Sequence, residues 1–306
     1  MSMYIMRRLV MLVPVLLGVT LLTFAISRAT PGDPVRAMLG VYGTPERIAE
    51  VRRQMGLDQP IAVQYVRYVW NAAHGDLGKS IRGQTPVMQE ILDRFPSTLE
   101  LTASAMIIAV SGGVTLGVVA ATAKNKAVDG GAMASALVGL SIPNFFLAII
   151  LIIIFGIRLK WVSVTGSGSL KDLILPSFCL ALAPLATVAR LTRSCILEVA
   201  REDYVRTARA KGLRELIVTY RHVLRNALIP VVTVLGLQFA AMLGGTVFIE
   251  SVFARPGIGR FAVNAILMRD YPQIQGIVLF VATIYVLVNL AVDVLYAMLD
   301  PRIVYE

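Results

Sequence analysis

Six apolar runs constrain this chain more than any other feature of its sequence: about Leu9–Ser27, Leu99–Ala123, Ala132–Ile157, Leu173–Leu197, Leu228–Phe248 and Ile274–Met298. The hydrocarbon core of a bilayer is about 30 Å thick, and a helix crosses it in roughly 20 residues. No water is available there to satisfy backbone N–H and C=O groups, so each run must close its own hydrogen bonds as a helix. The sequence therefore predicts an all-α integral membrane protein with six transmembrane helices. Composition agrees, since 57% of the 306 residues are hydrophobic, 16% are charged and the mean hydropathy is +0.72. The first run follows Arg7 and Arg8, as a signal peptide would. It is longer than an h-region of roughly 7–15 residues and no small-x-small cleavage site follows, so it reads as a retained helix.

Lys and Arg in the short loops set the orientation. With the N-terminus in the cytoplasm, the inside loops carry Arg7, Arg8, Lys124, Lys126, the basic residues between Arg201 and Arg225, and Arg302. The short outside loops carry only Arg158, Lys160, Lys171, Arg255, Arg260 and Arg269. Both termini are expected in the cytoplasm, with a short tail at 299–306. The segment 29–96 falls outside, between the first two spans, and carries its own helix signals. In "TPERIAEVRRQMG", Thr44 suits an N-cap, Pro45 the first helical position, and Gly56 the residue past the end. "DQPIAVQYVRYVWNAAHG" predicts a second amphipathic helix closed by Gly75, and "TPVMQEILDRF" a third opening at Pro86. These short helices are expected to lie on the outer membrane surface or to cap the spans.

Three kinds of chemistry are excluded early. Cys179 and Cys195 share one apolar run, and His74 and His222 are far apart, so neither a disulfide framework nor a metal cluster is implied. "HGDLGKS" contains Gly78-Lys79-Ser80 but lacks the first Gly of a phosphate loop and has no strand before it. It reads as a turn between surface helices.

The most polar interruption of the apolar pattern is "DYVRTARAKGLRELIVTYRHVLRNALIP", Asp203–Pro230. Its first helix, about 202–211, opens on Glu202 and Asp203 and closes on Arg209 and Lys211, which suits the helix macrodipole. Gly212 stands where a left-handed C-cap residue is needed. A second helix is expected to place Leu216, Ile217, Tyr220, Val223, Leu224, Ala227 and Leu228 on one face and to run into the fifth span. Three readings fit: a positive-inside loop that snorkels to anionic lipid, a nucleic-acid reader, and a docking knob for a cytoplasmic partner. The acids in the stretch and its membrane tether disfavour nucleic acid.

The stretch resembles the cytoplasmic loop of binding-protein-dependent ABC importers, in the variant of the dipeptide, oligopeptide, glutathione and nickel permeases. Its Gly212 and the preceding Arg206-Thr207-Ala208 occupy the positions of the family's E-A-A-x3-G core. The resemblance extends through "ATPGDPV" at 29–35, "MGLDQP" at 55–60, "HGDLGKS" at 74–80, "FARPGIGR" at 253–260, "RDYP" at 269–272 and "VDVLYAMLDPR" at 292–302. It implies the type I importer permease fold, with a five-helix core over 97–298 that includes a coupling loop at 198–227, following the N-terminal helix 1–28 and the segment 29–96. It also implies half of a translocation pathway, with no ATPase site or cofactor in this chain. The implied partners are a second permease, two cytoplasmic ATPase subunits that bind ATP and Mg, and an extracytoplasmic solute-binding protein. The resemblance gives Glu202, Asp203, Arg206, Thr207, Ala208, Arg209, Lys211 and Gly212 to ATPase coupling. It favours peptides or glutathione, with a nickel chelate as the alternative.

The remaining candidates line the spans. Gly236, Ala240 and Gly244 form a small-residue stripe in the fifth, with Thr233, Gln238 and Thr246 as its polar groups. "SIPNFF" puts Pro143 and Asn144 in mid-span, where a kink is expected. Asn144, Thr233, Gln238 and Thr246 are the candidates for the translocation path, against a role in helix packing. Asp293 is expected to pair with Arg190 or Arg193. No chain of membrane carboxylates supports an ion-coupled secondary transporter.

Overall fold

The computed structural model describes residues 2–29, 35, 39, 44–54, 56–162 and 171–299. Arg302 and most of "ATPGDPV" lie outside them. The described residues form eleven helices. These are α1 Ser2–Ala29, α2 Pro45–Gln54, α3 Ile61–Ala73, α4 Val87–Thr122, α5 Lys126–Ser141 and α6 Asn144–Arg158. They continue as α7 Lys171–Val199, α8 Asp203–Ala210, α9 Glu215–Val252, α10 Ile258–Met268 and α11 Tyr271–Leu299. Five are long and apolar enough to cross a membrane: α1, α4, α7, α9 and α11. The third expected span is two shorter apolar helices, which reach membrane-crossing length only when taken together. α5 and α6 meet at 97° across Ile142 and Pro143. Pro143 lacks an N–H and disfavours helical geometry in the residue before it, and Ile142 is extended at φ −93°, ψ 122°.

The chain divides into two compact units. The first holds Met1–Thr98 and Pro256–Val286, the second Leu99–Arg255 and Leu287–Glu306. In the first unit, α2 begins as its sequence directs: the Arg47 amide donates to Thr44 Oγ1 at 3.3 Å, and Gly56 follows with φ +66°. α3 lies against α1 through Tyr65 and Tyr68, whose rings pack on Phe24 at centroid distances of 5.5 and 6.2 Å. The third short helix is not separate. The turn at Pro86 opens α4 itself, which continues as the second span. "HGDLGKS" is a structural turn: Ser80 Oγ and the Ile81 amide donate to buried Asp270 at 2.7 and 2.9 Å. Asp270 also receives the Gln273 amide at the start of α11 (3.4 Å), so "HGDLGKS" and "RDYP" meet in one hydrogen-bonded knot.

In the second unit, α7 is the centre, packed by α5, α6 and α9. Helix approach is closest where side chains vanish. A Cβ on Gly113 would stand 2.7 Å from Val188 Cβ, and one on Gly117 would stand 2.6 Å from Thr192 Cβ. These glycines, four apart on α4, let it lie almost backbone to backbone on α7. Gly236 plays the same part for α9, where an added Cβ would fall 2.1 Å from Val292 of α11. Of the expected stripe, Ala240 is buried but Gly244 faces open space.

Candidate functional site

The basic stretch folds into a short helix held at both ends. α8 opens after Glu202, whose backbone is extended (φ −65°, ψ 146°). Its amphipathic pattern puts Val205 and Ala208 inward, into a cluster with Val118, Cys195, Ile196, Val218, Val223 and Ala227. Glu202, Asp203, Arg206, Thr207, Arg209, Lys211 and Gly212 are exposed. Ala208, expected among the coupling residues, instead faces the chain's own core at 6% exposure. It anchors the helix and is not part of its presented surface.

Gly212 closes α8 in the left-handed conformation, φ +75°. The Lys211 and Gly212 amides satisfy the Thr207 and Arg209 carbonyls at 3.1 and 2.9 Å. Across this turn Arg209 reaches Glu215, with Nη2 at 2.8 Å and Nε at 3.2 Å from Oε1, and Nη1 donates to the Ala200 carbonyl at 3.3 Å. Glu215 holds the Arg209 guanidinium above its usual range. One side chain thus ties the end of α7, α8 and the start of α9 together. Sequence reading passed over Glu215, although an Arg and a Glu flanking a Gly turn are the available signal.

The first turns of α9 are wound more widely than a 3.6 period. Val218–Leu224 is π-helical, so the buried residues are Val218, Thr219, Val223 and Ala227. Leu216, Ile217 and Tyr220, expected on one apolar face along the membrane surface, are exposed at 71%, 41% and 57%. The π turn carries one extra residue and shifts every side chain beyond it relative to an uninterrupted α-helix.

The membrane candidates are all in the second unit. Thr246 is fully buried and donates to the Leu243 carbonyl at 3.1 Å, as a packing residue does. Among the described residues, Thr233 Oγ1 is buried without a hydrogen-bond partner, and so is Asn289 Oδ1, which sequence reading did not single out. Gln238 and Asn144 are half-buried, Asn144 at the first position after the break. The expected pairing of Asp293 with Arg193 is not formed. Arg193 grips Asp129 in α5 with both its Nε and Nη2, each at 2.6 Å. Asp129, in the first turn of α5, faces α7 because those two helices pack together. Arg190 is exposed, and Asp293 is half-buried in α11.

This arrangement, a helical membrane core presenting one pinned polar helix, is that of a transport permease, and sequence comparison places it. The profile described as "binding-protein-dependent transport system inner membrane component" matches residues 113–305, and its N-terminal companion matches 1–102. The chain belongs to this family. Among similar proteins is a dipeptide transport system permease of Alkalihalophilus pseudofirmus, 46% identical over 330 aligned residues and 99% of both chains. A di/tripeptide permease of Pseudomonas aeruginosa is 45% identical over 332, covering 99% of each. A glutathione transport system permease of Salmonella paratyphi A is 46% identical over 303, again covering 99% of each. A crystal structure of an amino acid ABC transporter with histidines shares the fold, with a TM-score of 0.52 at 20% identity over 70% of this chain and 94% of that one.

Proposed function

We propose that this chain forms half of the translocation pathway of an ATP-driven importer of short peptides, with a glutathione-like tripeptide as the first substrate to test. The observation that carries the reading is α8: a polar helix on a buried apolar footing, closed by a left-handed glycine and locked by Arg209–Glu215. A helix held so rigidly can transmit a push from a docked chain into α7 and α9. ATP and Mg belong to two ATPase subunits docked on this surface in the cytoplasm. A second permease completes the pathway, and an extracytoplasmic binding protein delivers cargo. Both termini lie in the cytoplasm, and 29–96 outside. Alignment length favours glutathione. The alignments to dipeptide and di/tripeptide permeases run to 330 and 332 positions, beyond this chain's 306, so those relatives carry segments it lacks; the glutathione alignment runs to 303.

The test reconstitutes the assembled complex in vesicles with labelled glutathione and a labelled dipeptide. Uptake that requires ATP, survives collapse of proton and sodium gradients, and is lost in Gly212→Pro with the chain still folded supports the reading. Retention of the ATPase subunits by Gly212→Pro would remove α8 as the dock, and gradient-dependent uptake would remove ATP coupling. Single cysteines at Arg206 and Asp58, labelled from opposite sides of the membrane, check the orientation.

A further inference from the structure

The first unit holds a cationic cavity that the transport reading leaves unused. It measures about 180 Å³ and lies where the outer end of α1 meets α3 and the turn 56–59. Phe24 and Arg28 of α1 line it, with Gly56, Leu57, Gln59, Val63, Gln64, Arg67, Tyr68 and Asn71. Two guanidiniums face one cavity, and its lining contains no acid among the described residues. Asp58, the acid within the turn, is exposed and does not line it. Neither arginine has a carboxylate partner among the described residues.

The arginines are held in place. Gln64 Nε2 donates to the Gln59 and Leu57 carbonyls at 2.7 and 3.2 Å, while its Oε1 accepts from Arg28 Nη2. The Gln64 amide therefore fixes the turn and aims Arg28 together. Arg28 also rests over the Phe24 ring at 5.3 Å. Arg67 lies across Gly56, where a Cβ would meet Nη1 at 2.6 Å. Gly56, from the "MGLDQP" run, is required by its positive φ, and its bare Cα leaves the guanidinium room to lie over it. Planar guanidiniums with free N–H groups match the geometry of phosphate and carboxylate oxygens. Arg28 stands in the last turn of the first span, the depth at which polar headgroups begin.

We infer that this cavity is a binding site for a phosphate oxyanion, carried by a phospholipid headgroup or free in solution, held by Arg28 and Arg67 in a frame set by Gln64. Mutual repulsion of the two cations falls when the anion binds, so occupancy fastens the turn 56–59 and α3 to α1.

The test uses the full chain purified in a phosphate-free maltoside detergent and reads the thermal midpoint against inorganic phosphate, with chloride at matched ionic strength as the control. Wild type is expected to rise by about 3 °C at ten times the dissociation constant. Arg28→Gln and Arg67→Gln should abolish the rise, and Arg67→Lys should keep part of it. Gln64→Leu, which leaves both charges, should weaken the affinity about tenfold. A second arm adds phosphatidylglycerol and counts lipid retained by native mass spectrometry. A response to lipid alone, with one molecule lost in the arginine variants, assigns the headgroup; a response to free phosphate assigns the soluble ion. Equal behaviour of wild type and all the variants in both arms overturns the inference.

Discussion

Replacing Gly212 by alanine isolates one backbone term. The residue sits at φ +75°, and a Cβ built there meets nothing within 4 Å. The substitution therefore adds no clash and removes no contact; its cost is the left-handed conformation itself, about 1–2 kcal/mol for a residue with a Cβ. That shifts the equilibrium between the closed turn and an opened one by roughly 5- to 30-fold. Asparagine tolerates the left-handed region better, so Gly212→Asn should recover much of the loss. Hydrogen exchange at the Lys211 and Gly212 amides, which bond to Thr207 and Arg209 carbonyls, should quicken by that factor in Gly212→Ala, by less in Gly212→Asn, and stay unchanged in α7. Affinity for the ATPase subunits should follow the same order. Exchange equal in wild type and Gly212→Ala, or an asparagine variant no better than alanine, would refute the argument, because either requires a turn that is not left-handed in solution.

Glu215→Gln should add about 0.2–1 kcal/mol of opening, the value of an exposed ion pair, and a double-mutant cycle with Arg209→Gln should show the two losses are shared. Gly117→Val should destabilise the second unit by about 1–3 kcal/mol in thermal unfolding, since its Cβ would press on Thr192 Cβ and the Ala189 carbonyl. Asp129→Asn should loosen α5 from α7, read as faster spin-label motion on α5, and exchanging the two residues (Asp129→Arg with Arg193→Asp) should restore it. Burial raises the Tyr68 phenol above its ordinary value near 10. The folded chain keeps that proton longer than the unfolded one, so the contribution is complete below pH 10 and is lost as pH climbs through the folded value. Denaturation profiles from pH 9 to 11 should fall more steeply in wild type than in Tyr68→Phe.

What the sequence showed and what it hid follow from range. Spans, caps and the break at Pro143 are local: apolar length, Thr44, Gly56, Gly212 and a missing N–H all act within a few residues. The bend in the third apolar run was legible as a kink, but its 97° angle depends on what each half packs against. Asp293 was assigned by depth to Arg190 or Arg193, yet the neighbour that packing supplies to Arg193 is Asp129, 64 residues away along the chain. Gly113 and Gly117 carry a small-xxx-small spacing that went unread among the other glycines, and only the facing Val188 and Thr192 show which spacing forms a contact. The 3.6 period was extended through 218–224, a stretch that the structure winds as a π-helix.

That π-helical stretch, Val218–Leu224, sets an angular phase. An α-helix advances about 100° per residue, so one residue more or fewer there turns α8 by most of a right angle or more about the axis of α9. The azimuth between the exposed polar helix and the membrane residues of α9 is therefore written in a residue count. Deleting a single residue between 218 and 224 would leave every contacting side chain of α8 in the chain and aim the helix elsewhere.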